Sequence, residues 1–302
     1  MLDDDHLFTS FFHGEAQAFL RQAIAASLSE DGPDITTLAI FDDLRTISAE
    51  IIVKEHAVVA GLPIVPLVLE MTEETLNAPP LTAWEWKALV AEGAHVEPGT
   101  VAGELYGPAR LILRAERIIL NFLTHLSGIA ALTAQYAHKL EGTGVTLLDT
   151  RKTLPGLRYP EKYAVLVGGG HNHRLNLGEL VLLKDNHIDA AGSITLAVNK
   201  LRSGHLPCPP IEVECRTQAE VEEAVACDVD RIMLDNMSVA VLNQVLPLIP
   251  ENIKAEISGG INLKNIREHA LACPTRRPDF ISVGRITHSA PSADFSVRFS
   301  KD

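Results

Sequence analysis

The strongest constraint in this sequence is a rhythm that sets in near Leu111 and runs almost to the carboxyl terminus. Six short apolar runs, GVTLLDT, ELVLLKDN, PIEVECRT, RIMLDN, KAEISGG and FISVGR, alternate with stretches of helical spacing such as SITLAVNKLR, QAEVEEAVA, VAVLNQVLPLI and LKNIREHALA. Strand and helix alternating through short links imply a parallel sheet, because parallel neighbours need a crossover connection. Six strands in about 170 residues predict a closed or nearly closed β/α barrel, with an open sheet as the other arrangement that periodicity alone allows. No repeat of fixed period and no low-complexity tract accompanies the rhythm.

Ahead of it the pattern is different. Apolar residues recur at helical spacing from Glu15 to Leu28 and stop at EDGPD, where Gly and Pro break a helix. RTISAEIIVKEHAVVAG reads as paired strands, IVPLVLEMTEETL as a helix, and residues 90–110 as short strands between glycine turns, which together make an α+β unit. LILRAERIILNFLTHLSGIAALTAQYAHKL is a long amphipathic helical region, with a break expected at Ser127 and Gly128. SADFSVRF alternates like a strand and is expected to pair back onto the amino-terminal sheet. Glycine-punctuated strands also suit a lipoyl or biotinyl carrier, but such a domain needs an acceptor lysine on a hairpin. There is none between Lys87 and Lys139.

With 302 residues and 46% hydrophobic content, the chain can bury one large core or two moderate ones. The sequence shows no apolar run of membrane-spanning length, and MLDDDHLF is acidic where a signal peptide would be basic, so a cytoplasmic protein is expected. Cys208, Cys215, Cys227 and Cys273 form no C-x-x-C pair and read as reduced structural residues. A formal net charge of −13 argues against a general nucleic-acid binder, whose counterion release needs a basic face. Any basic site must therefore be local and concave.

In a β/α barrel, chemistry projects from the carboxyl ends of the strands. Here those ends carry Asp149, Arg151 and Lys152; Lys184 and Asp185; Glu212 and Glu214; Asp235 and Asn236; Ser258 to Gly260; and Gly284 with Arg285. Glycines between a strand and a helix, with Asn262 as cap, let backbone N–H groups approach a phosphate, or form an ordinary turn. Arg151, Lys152, Arg158, His171, His173, Arg174 and Lys184 are singly unremarkable surface charges, but clustered at strand ends in an acidic protein they point to an anion site. The H-N-H pattern with His187 has the form of a zinc site, yet the neighbouring cations would repel a metal. Glu214 and Asp235 end buried strands, so they pair with a structural cation, a magnesium ion or ligand hydroxyls.

The runs ERIILNFLTHLSGIA, DTRKTLPGLR, GGGHNHR, LLKDNHI, IEVEC, LDN, EISGGI and ITHSA, in this order and at these separations, resemble the quinolinate phosphoribosyltransferase family of NAD biosynthesis. The resemblance extends from EDGPDITT to THSA. It implies an α/β fold, an incomplete β/α barrel with an amino-terminal α+β sandwich domain: residues 1–117, joined by 289–302, for the sandwich and 118–288 for the barrel. It also implies the activity, transfer of phosphoribosyl from phosphoribosyl pyrophosphate to quinolinate with loss of CO2 and pyrophosphate, and Mg2+ as cofactor.

By the same resemblance Arg151, His173, Arg174 and Lys184 surround the quinolinate carboxylates, and Arg117 is supplied across the interface of a homodimer. Lys152 contacts the phosphoribosyl substrate, and Glu214 and Asp235 hold ribose hydroxyls and the metal, directly or indirectly. Ser258, Gly259, Gly260 and Gly284 bind the 5′-phosphate, with His288 nearby. Lys152, Lys184, Glu214 and Asp235 form the implied catalytic set. The chain departs from the family pattern at Leu154, in the LNLG that contains Asn176 and Gly178, and at Arg285. Three competing functions remain: a pyrophosphorylase-like paralogue associated with molybdate transport, a non-catalytic barrel that binds a phosphorylated metabolite, and a zinc hydrolase. The intact KDNH and arginine set disfavour the first, and Glu214 with Asp235 the second.

Overall fold

The structure is a computed structural model that describes residues 4–76, 82–204 and 207–300; the expected domain limits at residues 1 and 302 lie outside them. The chain divides into two compact units. The first comprises Met1–Ala134, Thr153–Gly169 and Thr287–Asp302, and the second Gln135–Lys152 and Gly170–Ile286.

The first unit is built on an antiparallel sheet. Strand β1 (Thr46–Val53) pairs with β5 (Val101–Pro108) from Thr46↔Pro108 to Ile51↔Gly103, and the register shifts between Ile51 and Ile52. Strand β3 (Glu85–Ala88) extends the sheet beyond β5, while β2 (Ala57–Val58) and β4 (His95–Val96) form a separate ribbon. RTISAEIIVKEHAVVAG thus contains two strands that do not pair with each other, contrary to expectation. Both edges of β1 are already occupied, one by β5 and the other by the carboxyl-terminal strand Phe295–Phe299. That last strand returns to the amino-terminal sheet as its alternation predicts, pairing Ala49↔Phe299 through Val53↔Phe295.

The helix Ala109–Leu140 is continuous, so the break expected at Ser127 and Gly128 is corrected. Ser127 is buried and its hydroxyl accepts the Ala60 N–H at 2.9 Å. Gly128 permits close packing instead of interrupting the helix: a Cβ there would fall 2.0 Å from the Pro291 carbonyl oxygen. By length and composition the helix could also cross a membrane, which corrects the expectation that no such run exists. However, 61% of its most apolar window is buried within the protein, with Leu111, Ile112, Ile118 and Ile119 almost fully enclosed. Amphipathic core helices pass the same length test.

The second unit holds the parallel sheet that the alternation predicts. Its strands are β6 (Thr146–Leu148), β7 (Val181–Leu183), β8 (Ile211–Cys215), β9 (Arg231–Asp235), β10 (Lys254–Ser258) and β11 (Phe280–Ser282), and Phe295–Phe299 is then β12. The spatial order is β6-β11-β10-β9-β8-β7, which leaves the first two strands at opposite edges. A parallel bridge between Leu148 and His171 instead lays the segment that follows Gly170 against the outer edge of β6. The barrel is incomplete for this reason. Along β8, β9 and β10 the side chains alternate by twos. Val213, Cys215, Ile232, Leu234, Ala255 and Ile257 form buried apolar rows, and Glu214, Met233, Asp235 and Ser258 face the cavity described below.

Candidate active site

At the carboxyl ends of the parallel strands the second unit encloses a cavity of about 500 Å3. It is lined by Thr150, Arg151 and Lys152 after β6, His173 and Arg174 from the bridged segment, and Leu182 with Lys184 from β7 and its end. Glu214, Met233, Asp235 and Asn236 come from β8 and β9, and Ser258, Gly259, Gly260 and Ser282 from β10 and β11. One wall is cationic and the facing strands are acidic, which is the segregation expected from the order of residues at the strand ends.

The cationic wall is fixed from behind. Asp149 is fully buried and accepts hydrogen bonds from the His173 backbone N–H (2.8 Å) and from Asn172 Nδ2 (2.7 Å). Arg174 donates from Nη1 to the Leu180 carbonyl at 2.8 Å, and its backbone N–H donates to His173 Nδ1 at 2.7 Å. Burial, and after it the Arg151 charge, press the Arg174 guanidinium below its ordinary value, while Glu212 opposes them. Arg151 Nε is buried without a hydrogen-bond partner. Two guanidiniums close enough to repel, one with an unsatisfied buried donor, form a site that an anionic ligand would stabilise.

On the opposite wall, Lys184 Nζ lies 3.9 Å from Glu214 Oε2. Burial, then the neighbouring Asp235 charge, raises the Glu214 carboxyl above its ordinary value, which a cation or hydroxyl donors would reverse. Asp235 Oδ2 accepts from Asn236 Nδ2 at 2.7 Å. Hard carboxylate oxygens of this kind fit Mg2+ held with substrate oxygens and water. The glycine turn is fixed sterically. Gly259 has φ +89°, and a Cβ on it would lie 2.3 Å from Asn236 Oδ1, so the turn admits no side chain. Asn236 itself adopts φ +54° and donates its N–H to the Ser258 carbonyl.

The cavity brings together Arg151, Lys152, His173, Arg174, Lys184, Glu214, Asp235, Ser258, Gly259 and Gly260. Gly284, two residues past the lining Ser282, is not among the lining residues. Arg117 is an exposed residue of the helix Ala109–Leu140, Arg158 begins the helix Arg158–Val167, and His288 ends the helix Arg285–His288; all three belong to the first unit. His171 and His187 do not join His173 in a metal site. His171 is exposed on the bridged segment and His187 Nδ1 accepts the Lys184 N–H at 3.1 Å. Asn262 is not the cap of the next helix, whose N-cap is Asn265; Asn262 Oδ1 accepts from the Lys264 N–H within the turn. Among the departures, Leu154 is exposed in the first unit, Asn176 Oδ1 accepts the Gly178 N–H in a local turn, and Arg285 is exposed.

Sequence reading missed Thr150, Leu182, Met233 and Ser282 as lining residues, and it gave no role to Glu256, which is fully buried in β10. The signal was present in the strand period. A residue two positions before a functional strand end points to the same side of the sheet, so Leu182 precedes Lys184, Met233 precedes Asp235 and Glu256 precedes Ser258.

A model of the quinolinate phosphoribosyl transferase C-terminal domain matches residues 129–298, and one of the N-terminal domain of the same enzymes matches residues 34–127. The chain belongs to the quinolinate phosphoribosyltransferase family. Among curated members, it is 38% identical over 266 residues, 87% of each chain, to the probable carboxylating nicotinate-nucleotide pyrophosphorylase of Bacillus subtilis. It is 35% identical to the carboxylating nicotinate-nucleotide pyrophosphorylase of Mycobacterium leprae, covering 92% of this chain and 96% of that one. Its fold matches the crystal structure of NadC from Streptococcus pyogenes with a TM-score of 0.82 at 38% identity, over 93% of this chain and 96% of that one. As a quinolinate phosphoribosyltransferase family member it has the incomplete barrel and amino-terminal sheet domain that the resemblance implied.

Proposed function

We infer that this protein transfers the phosphoribosyl group of phosphoribosyl pyrophosphate to quinolinate with decarboxylation, yielding nicotinate mononucleotide, pyrophosphate and CO2 for NAD biosynthesis. The observation that carries the reading is the divided cavity, with Arg151 and Arg174 on one wall, Glu214 and Asp235 with the neighbouring Lys184 on the other, and a side-chain-free turn at Gly259. A dicarboxylate needs the first group, a ribose passing through a cationic state needs the second, and a phosphate needs the third.

In this reading Arg151, Arg174 and Lys184 receive the two quinolinate carboxylates and aim the pyridine nitrogen at the ribose C1. Lys152 faces the leaving pyrophosphate, and Ser258, Gly259 and Gly260 cradle the 5′-phosphate, with Gly284 extending that site. As the C1–O bond breaks, its electron pair leaves with pyrophosphate, and the carboxylates of Glu214 and Asp235 stabilise positive charge at C1 while accepting the ribose hydroxyl protons as hydrogen bonds. The pyridine nitrogen lone pair then forms the new bond to C1. The resulting pyridinium withdraws the electrons of the adjacent carbon–carboxylate bond, CO2 departs, and water supplies the ring proton. A magnesium ion held between Glu214, Asp235 and the substrate would neutralise charge on the pyrophosphate. Arg117 is assigned to the neighbouring subunit's quinolinate site in a homodimer, and a cytoplasmic location completes the reading.

Steady-state turnover with phosphoribosyl pyrophosphate, Mg2+ and either quinolinate or nicotinate, following pyrophosphate and CO2 together, tests it. Equal release of both from quinolinate, with none from nicotinate, is expected. Failure of quinolinate to support pyrophosphate release would reject the substrate and bring forward the molybdate-associated or sensor reading.

A further inference from the structure

The first unit holds a cavity of its own. Its volume is about 500 Å3, and all of its lining residues lie in that unit, whereas those of the proposed catalytic cavity lie in the second. Leu28 comes from the helix Gly14–Asp31, Leu38 from the short helix Ile35–Ile40, and Met71 and Leu76 from the helix Ile64–Glu73 and the turn that follows it. Arg110 and Arg114, one turn apart on the helix Ala109–Leu140, supply the cations.

The charges that line this cavity are matched within the protein, with one exception. Arg110 donates from Nε to the Phe41 carbonyl at 2.8 Å and pairs with Asp43. Asp34 Oδ1 accepts the Thr37 N–H at 2.9 Å as the N-cap of the short helix, and Glu74 Oε1 lies 3.6 Å from Arg21 Nη2. Arg114 has no ion-pair partner among the described residues, and its Nε is buried without a hydrogen bond. A buried guanidinium N–H with nothing to receive it is costly, and that cost falls away when a ligand oxygen accepts it. The apolar wall is open too. Leu38 lines the cavity yet is exposed, so a ligand body laid on it would remove it from water.

We propose that this cavity binds a monocarboxylate with an apolar or aromatic body, its carboxylate on Arg114 and its body against Leu28, Leu38, Met71 and Leu76. The charge class follows from the cations at hand. With Arg110 already paired to Asp43, one guanidinium faces the ligand, and its planar fork takes both oxygens of a carboxylate at once. A phosphate dianion or a dicarboxylate would bring a second charge with no partner, next to Asp34 and Glu74, which also line the cavity. A neutral apolar ligand would leave the Arg114 donor unpaired. The ligand class therefore differs from both substrates of the proposed reaction, and the inference does not depend on that reaction.

Methionine reports on the two cavities separately. The chain has four methionines, Met1, Met71, Met233 and Met237; Met71 lines this cavity and Met233 the other. The experiment is methyl NMR of the full chain with labelled methionine, the two resonances assigned with Met71→Leu and Met233→Leu. The probes are phenylacetate, its neutral isostere phenylacetamide, and phenyl phosphate. Phenylacetate is expected to shift the Met71 methyl saturably, with Kd of about 1 mM or below, and to leave Met233 in place. Replacing the carboxylate by the amide, or Arg114 by Gln, should weaken binding about tenfold or more, and phenyl phosphate should bind more weakly than phenylacetate. No shift at Met71, equal affinity for the amide, tighter binding of phenyl phosphate, or a shift confined to Met233 would overturn the proposal. The probe comparisons use the wild type, so they decide the matter even if Arg114→Gln does not fold.

Discussion

Arg151 and Arg174 show how a cationic pocket is kept ready in a protein of net charge −13. Arg174 is held by the Leu180 carbonyl and the His173 ring, whereas Arg151 keeps a buried Nε without a partner. The acids opposite are only partly neutralised: burial and Asp235 raise Glu214, and Lys184, 3.9 Å away, opposes them. Changing Asp235 to Asn should lower kcat by about 100-fold, the scale of losing one stabilising group at a developing charge, with quinolinate affinity in equilibrium titration little changed. Glu212 and Glu256, fully buried together beside His173, carry a stability signature as well. Their folded-state values near 7 lie above the ordinary 4.5, so the folded state binds the proton more tightly and stability is lost as pH rises from about 4.5 through about 7. Thermal unfolding should therefore show Glu256→Gln gaining several degrees on the wild type between pH 5 and pH 8. A difference that does not change with pH would contradict the raised carboxyl values. Glu256 was legible only indirectly, because one buried acid inside KAEIS is a packing puzzle until its neighbours Glu212 and His173 are placed in space.

At the scale of elements, two glycines show how a sequence signal can be right in type and wrong in meaning. Gly128 looks like a helix break, but the helix continues and the missing Cβ makes room for the Pro291 carbonyl. Gly128→Ala should destabilise the fold by about 1–3 kcal/mol through forced separation of these backbones, measured by denaturant unfolding. Gly259→Ala combines positive φ with collision against Asn236, and it should weaken phosphoribosyl pyrophosphate binding about tenfold or more while quinolinate binding changes little. The six parallel strands were legible because buried apolar runs and helical spacing are both strong local patterns. Strand β3 was not, since its EWKA is largely exposed and only its pairing with β5 makes it a strand. Which strands flank β1 was hidden for a related reason: the return of β12 to this sheet was expected, but the choice of β5 over β2 as the other neighbour, from residues about 50 positions away, has no local pattern to record it.

For the whole molecule, chain order and spatial order diverge at both ends. Strand β12 closes one edge of the amino-terminal sheet, so truncation before Phe295 should expose β1 and lower the unfolding midpoint by several degrees, read by circular dichroism. In the parallel sheet the first two strands lie at opposite edges, and the segment carrying His173 and Arg174 is bridged to β6, which places the cationic residues where a continuous ring of strands would leave no room. Alternation along the sequence specifies parallel strands but not whether the ring closes; the family resemblance implied an incomplete barrel, and only the structure shows the opening to lie between β6 and β7. The central claim is that the cationic wall is there for the dicarboxylate. The direct measurement is a pair of equilibrium titrations, quinolinate and phosphoribosyl pyrophosphate separately, against the wild type and Arg151→Met. Loss of about 30-fold or more in quinolinate affinity, roughly 2 kcal/mol for an unpaired carboxylate, with phosphoribosyl pyrophosphate affinity within about threefold, is the predicted result; equal loss of both would contradict the account.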